Sequence, residues 1–152
     1  MIATTAEQIK ALRAGGKILA GVLRDLSLLV KEGVNTAELD LACEHAIRAR
    51  GAVPAFLNYQ PDGAAYPYPA TLCISINDEV VHGIPNEKRI LNRGDMVSID
   101  TGLSYQGYFL DAARTLVVGG ADDTKTNQLI SATHEALQAA ISVVRPGKHI
   151  GD

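Results

Sequence analysis

The sequence predicts an α+β fold, with helices packed on a mainly antiparallel sheet. Three observations predict it. Apolar residues recur at helical spacing over residues 5–51 and again from Thr124 to Val144. Short β-rich runs lie between these two helical regions. The runs follow one another directly and do not alternate with helices, which separates α+β from α/β. A chain of 152 residues is long enough for one domain with a real core. Its 47% hydrophobic and 20% charged residues are those of an ordinary globular protein.

Thr5 followed by Gln8 matches a capping box and marks the first helix start. Ile9, Leu12, Leu19, Val22, Leu23, Leu26 and Leu29 then form one apolar stripe, and Gly33 marks the stop. Asn35 or Thr36 caps a second helix with Glu38 in its first turn. Leu39, Leu41, Ala42, Ala46 and Ile47 are its packing residues, and Gly51 ends it. The stretch PAFLNYQPDGAAYPYPA is rich in Pro, Gly and Tyr and reads as a loop. TLCISI reads as a strand. VSIDT alternates, with Val97 and Ile99 on one face and Ser98 and Asp100 on the other. GYFLDAARTLVV gives one or two further strands, with Gly102 and Gly107 flanking a hairpin connection. The terminal helix carries Leu129, Ile130, Ala136, Leu137, Ala140, Ile141 and Val144.

A weak internal echo accompanies this order. A helix followed by VKEGVNT around Gly33 is echoed by a helix followed by VRPGKHI around Gly147; 147 minus 33 is an offset of 114. Two readings stand. Helices often end in a basic residue and Gly, so the match is incidental; or a second unit starts near residue 120 and stops before its second helix.

Composition excludes several classes. A net charge of −3 gives no basic surface for nucleic acid or membrane. The apolar stretches are broken by Lys17, Arg24 and Lys31, so no segment spans a bilayer. MIATTAEQIK has no apolar core of a signal peptide. Cys43 and Cys73 form no CxxC pair, so a cytoplasmic, reducing location is expected.

Asp100 ends the run MVSID, and a carboxylate in such a setting is hydrogen-bonded, paired or metal-bound. Asp111 follows eleven positions later, and two antiparallel strands place both carboxylates side by side. Like charges that close repel unless something positive lies between them, and a dimetal centre supplies it. The alternative is an Asp100 in a turn near Gly102 and a salt bridge from Asp111 to Arg114. His82, in EVVHGIP, reads as a residue at a strand end, presented by a turn at Gly83 and Pro85, or else as an ordinary hydrogen-bonded loop histidine. His45, His134 and His149 read as solvated or capping residues.

SINDEVVHGIP, then GDMVSIDTG, then GYFLDAART resemble the first three motif blocks of type I methionine aminopeptidases, and the resemblance covers essentially the whole chain. The blocks are specific together and weak singly. The resemblance implies the N-terminal half of the pita-bread (creatinase/aminopeptidase) fold, made of two pseudo-symmetric halves. Residues 1–152 would then be a single partial domain, with a first pseudo-repeat over 1–119 and the start of a truncated second over 120–152.

By position, the resemblance implies that Asp100 chelates one metal and that Asp111 bridges two. His82 would be a non-ligand that hydrogen-bonds the scissile peptide or the transition state. Phe56, Tyr59, Tyr68 and Cys73 would line the pocket for the methionine side chain, and the stretch NYQPDGAAYPY is longer than the usual loop of the family. The alternative for these four is ordinary core or loop packing. The implied cofactors are two divalent ions, Co, Mn, Fe or Zn. The implied substrates are N-terminal methionine peptides and nascent chains, with ribosome association as a further implication. Nothing after Val118 matches the later ligands of the family, a His and two Glu, or its later catalytic His. Glu135 and His134 lie on a predicted helix and do not fit. The chain is therefore expected to hold two of the family's five ligands and to be inactive as it stands. The rivals are a prolidase or Xaa-Pro aminopeptidase of the same fold, and a non-catalytic fragment or binding module.

Overall fold

The computed structural model describes residues 2–121 and 123–151. It divides into two compact units, one ending at Gly120 and one beginning at Ala121. The first unit contains two helices, α1 (Ala6–Leu29) and α2 (Thr36–Ala49), and four strands, β1 (Val53–Pro54), β2 (Leu72–Ile76), β3 (Met96–Tyr105) and β4 (Tyr108–Val117). The second contains α3 (Thr124–Val143), none of whose residues is buried. The expected α+β order is present, with β1 added.

Local chemistry explains the helix limits. The Thr5 side chain accepts from the Gln8 N–H at 3.2 Å, and the Gln8 side chain accepts from the Thr5 N–H at 3.0 Å, closing the capping box. Asn35, not Thr36, caps α2, by accepting from the Glu38 N–H at 2.9 Å. Thr36 is fully buried in the first turn instead. The buried face of α2 is Thr36, Leu39, Cys43 and Ile47. Leu41, expected to pack, is 66% exposed, because two residues past Leu39 turn a helix by about 200°. Ile9, expected in the α1 stripe, is 44% exposed for a similar reason: it lies off the face that Ala11, Gly15, Leu19, Val22 and Leu26 bury.

The sheet is built on β3. Antiparallel partners run along both of its sides: β2 (Leu72↔Thr101 to Ile76↔Val97) and the short β1 (Pro54↔Leu103) on one, β4 (Met96↔Val117 to Tyr105↔Tyr108) on the other. The β3–β4 turn is Gln106–Gly107, both at positive φ (52° and 81°), the conformation of the tightest hairpins. Gly102 was expected to flank that turn and instead lies inside β3, opposite Asp111. α1 and α2 pack on one face of the sheet. Val97, Ile99 and Leu103 of β3 join Leu72 and Ile74 of β2, Leu19, Val22 and Leu26 of α1, and Leu39, Cys43 and Ile47 of α2 in one core. Each fully buried aliphatic side chain there contributes about 1.5–3 kcal/mol. The alternation of β3 leaves Ser98, Asp100, Gly102 and Ser104 on the opposite face.

Candidate active site

Cross-strand register brings the carboxylates together. Asp100 pairs with Ala113 and Asp111 with Gly102, so the two aspartates are diagonal neighbours on the face of the hairpin opposite α1 and α2. The Asp100 carboxyl is pushed up to about 6, first by burial, then by the charge of Asp111 and a hydrogen bond with it, while His82 pulls it down. His82 therefore stands close to the pair. Arg114, three positions past Asp111, falls on the opposite face of β4, and the four ion pairs found among the described residues do not include it.

Two features make room beside the carboxylates. Gly102 lets the Phe56 ring approach: a Cβ there would lie 2.7 Å from Phe56 Cε1. Phe56 in turn packs edge-on against Tyr68, with ring centres 6.5 Å apart. Loop 55–69 covers this region and is closed at its base, where the Asn58 N–H donates to Tyr68 O and the Tyr68 N–H to Tyr59 O, at 2.9 and 2.8 Å. The result is a cavity of about 480 Å³. Its walls contain all seven residues singled out from the sequence: Phe56, Tyr59, Tyr68, Cys73, His82, Asp100 and Asp111. They also contain Pro61, Ala64, Tyr66, Pro67, Pro69 and Ile84, which sequence reasoning did not assign to the site. The density of Tyr and Pro in the loop was the available signal for these.

His82 reaches the cavity by a route the sequence did not suggest. Val80 and Val81 read as a strand end, yet they are 88% and 62% exposed and lie outside any strand. The segment instead runs along the free side of β2, with the Ile74 N–H donating to Gly83 O at 2.8 Å. His82 itself has a φ of 61°, a left-handed conformation that costs on the order of 1–3 kcal/mol and clusters at functional sites. His45 and His134 are exposed, and the latter lies on α3 with Glu135.

The part of the wall formed by Cys73 and Tyr68 is uncharged. Burial pushes the Cys73 thiol up from its usual value, the nearby Asp100 and Asp111 charges push it further, and a Tyr68 hydrogen bond partly opposes them. Burial likewise raises Tyr68, whose hydroxyl donates to Leu72 O at 3.1 Å. Asp40 on α2 fixes the start of β2 by accepting from the Thr71 and Leu72 N–H groups at 2.8 and 2.9 Å, and burial is the main reason its carboxyl is raised.

The donor chemistry fits a divalent ion. The charge of Asp111 helps to hold the Asp100 carboxyl above its ordinary value, and a cation placed between two neighbouring carboxylates relieves such repulsion. Among the described residues, no group of three or more His, Cys, Asp or Glu is arranged to hold a metal, so the described donors are this pair.

A sheet with paired carboxylates beside an apolar cavity is the layout of a metallopeptidase, and the chain belongs to metallopeptidase family M24, whose model matches residues 10–152. Membership carries dependence on a divalent metal. Over 145 residues the chain is 45% identical to a methionine aminopeptidase of Aquifex aeolicus, covering 95% of this chain and 56% of that protein. Among solved structures it resembles the methionine aminopeptidase of Thermotoga maritima (TM-score 0.87, 32% identity, 97% of this chain and 57% of that one). It also resembles that of Rickettsia prowazekii (TM-score 0.85, 38% identity, 97% and 56%). The architecture is thus that of the N-terminal half of the pita-bread fold, and the chain spans about half the length of the curated relatives it matches. No helix of the described residues is long and apolar enough to cross a membrane.

Proposed function

We propose that the protein acts in the hydrolytic removal of N-terminal methionine from new polypeptides, using divalent metal held by Asp100 and Asp111. The observation that carries the reading is the diagonal carboxylate pair beside a cavity that His82 also lines. In this reading Asp100 would be a ligand of one ion and Asp111 would be shared by two, drawn from Co, Mn, Fe or Zn; oxygen donors are compatible with all four. Metal bound there supplies Lewis acidity, polarising the scissile carbonyl and making water nucleophilic near neutral pH. Phe56, Tyr59, Tyr68 and Cys73 receive the methionine side chain. Because burial keeps the Cys73 thiol and the Tyr68 hydroxyl protonated, these two groups offer a thioether no charge to desolvate. His82 is a non-ligand that hydrogen-bonds the scissile peptide or the transition state. The substrates are methionine-initiated peptides and nascent chains, met in the cytoplasm and at the ribosome.

The test is calorimetric titration with Mn²⁺. Binding is expected to be weak, because metal affinity depends on donor number and on supporting groups, and the described donors are two. Asp111→Asn should reduce it at least about tenfold. Equal Mn²⁺ affinity in the two proteins sinks the site assignment. Met-Ala hydrolysis by this chain is expected to fall below detection. Robust turnover, lost in Asp111→Asn, contradicts the inactivity and strengthens the site. A panel with Ala-Pro separates the Xaa-Pro peptidases.

Residues 120–152 are read as the start of a second repeat. The sequence echo at 114 positions is matched by backbone detail. Val30 and Val144 end their helices with similar angles (φ −70°, ψ 94° and φ −68°, ψ 103°), and Gly33 and Gly147 follow at φ 83° and 87°. The Val34 N–H donates to Lys31 O at 3.3 Å and the Lys148 N–H to Arg145 O at 3.2 Å. Gly33→Ala and Gly147→Ala should each fray the preceding helix end, read as faster amide exchange at Val30 and Val144. Fraying at one end alone argues against the repeat.

A further inference from the structure

The loop of residues 77–90 leaves β2, presents His82 and returns to α2. We propose that Arg89 is a positioning residue that locks His82 beside the carboxylate pair by clamping this loop to the outer side of β2. The proposal rests on the reading of His82 as the group that contacts substrate.

The guanidinium holds three partners that are separate in the chain. Nη1 donates to Ile74 O of β2 at 3.2 Å and to Ile84 O, two residues past His82, at 2.8 Å. Nη2 donates to the carboxylate of Glu79, on the outgoing limb of the loop. Glu79 Oε2 also accepts from the Ile76 N–H of β2 at 2.9 Å. One cation therefore ties the strand to both limbs.

Gly83 passes through the middle of this clamp. Its N–H donates to Ser75 Oγ at 3.3 Å and its carbonyl accepts from the Ile74 N–H at 2.8 Å. A Cβ at Gly83 would lie 2.0 Å from Ile74 O and 2.9 Å from Glu79 Oε2, so the backbone beside His82 has no lateral freedom. The left-handed φ of His82 persists only where surroundings hold it, and these contacts are the surroundings.

Arginine suits the task because its planar fork donates in several directions at once, whereas a lysine ammonium is a single point. The Arg89 side chain is only 20% exposed, so the guanidinium is largely covered although its Glu79 partner is open to water. Its backbone is anchored independently. Arg89 O accepts from the Thr36 N–H at 2.9 Å, and Asn86 exchanges two hydrogen bonds of 2.9 Å with the Thr36 hydroxyl. Changing the side chain thus removes the clamp and leaves the loop's return to α2 in place.

The experiment is NMR on the whole chain, with Co²⁺ alone as a paramagnetic probe and amide exchange recorded without metal. In the parent, Co²⁺ should shift the amides of Asp100 and Asp111 and the ring signals of His82. Arg89→Gln should keep the aspartate shifts, lose most of the His82 shift, and speed Ile74 amide exchange about tenfold while the β3 amides stay protected. Arg89→Lys, which can keep the Glu79 contact alone, should recover part of both effects. Unchanged His82 shifts and Ile74 exchange in Arg89→Gln overturn the proposal. If Arg89→Gln also loses β3 protection, Glu79→Gln decides, since it spares both carbonyl contacts. A reduced His82 shift with β3 intact then supports the clamp, and an unchanged one overturns it. If Co²⁺ shifts neither aspartate in the parent, the metal reading fails, and the exchange arm alone decides the clamp.

Discussion

One face of β3 presents Val97, Ile99, Thr101 and Leu103, all fully buried, and the other presents Ser98, Asp100, Gly102 and Ser104. On the first face every side chain is apolar or, like Thr101, satisfied: its hydroxyl donates to Thr71 O at 3.0 Å. On the second, Asp100 sits beside Asp111 although that neighbour makes Asp100 harder to ionise. The first face is arranged for stability, while the second tolerates repulsion that only a ligand relieves. Alternate residues of one ten-residue strand therefore answer to different requirements, and substitutions at adjacent positions should have opposite consequences.

The largest expected effect is on the buried face. Ile99→Ala should destabilise the chain by about 2–5 kcal/mol, seen as a lower urea midpoint at an unchanged slope. A loss below about 1 kcal/mol would mean that this face is less tightly packed than its burial indicates. Gly102→Ala, on the other face, should cost about 1–3 kcal/mol, because the new Cβ displaces the Phe56 ring. The same change should alter ligand access to the cavity, and a neutral result would show that Phe56 moves freely.

Asp100→Asn should go the other way. A carboxyl raised above its ordinary value binds its proton more tightly in the folded chain than in the unfolded one. Its ionisation therefore destabilises the fold as pH rises from about 4 towards 6, and that cost is fully present above about 6. Without metal, Asp100→Asn should stabilise the chain at pH 7 by of order 1 kcal/mol, after allowance for solvent screening, and by nothing at pH 3. Denaturation at the two pH values checks this, and equal effects at both would remove the electrostatic explanation. Metal binding should weaken as pH falls through about 6, since the ion competes with that proton. Thr5→Ala touches neither face and serves as the smallest effect. Loss of the capping box should cost about 0.5–1 kcal/mol, read as a small fall in midpoint with Mn²⁺ binding unaltered.

What could be read from the sequence follows the range of the interaction. The Thr5–Gln8 box and the Asn35 cap are local, and residue types three apart announce them. The alternation in VSIDT placed Asp100 on the face opposite Val97 and Ile99 because burial on a strand has period two. Long-range causes were not legible. Gly102 looks like a turn residue, yet it is needed because a ring from a loop nearly fifty residues earlier rests on it. Val80 and Val81 look like strand residues, but the side of β2 that they would extend is taken by Gly83. β1 was missed because two residues, one of them Pro54, carry no pattern. The seven site residues were named from motif blocks, one loop and the strand that follows it; Arg89 and Glu79 were not named, because only the folded loop shows what they grip.

The β3–β4 hairpin has a consequence for how a metal is captured. Its strands are joined by two residues, and the two aspartates stand eleven positions apart on the same hairpin. Closing so short a loop costs little chain entropy, and the hairpin's backbone pairing has already met that cost before any ion arrives. An incoming cation need not draw distant segments together, so capture should run close to the rate at which the ion sheds water. The number of oxygen donors, more than any folding step, should then set how long the ion stays.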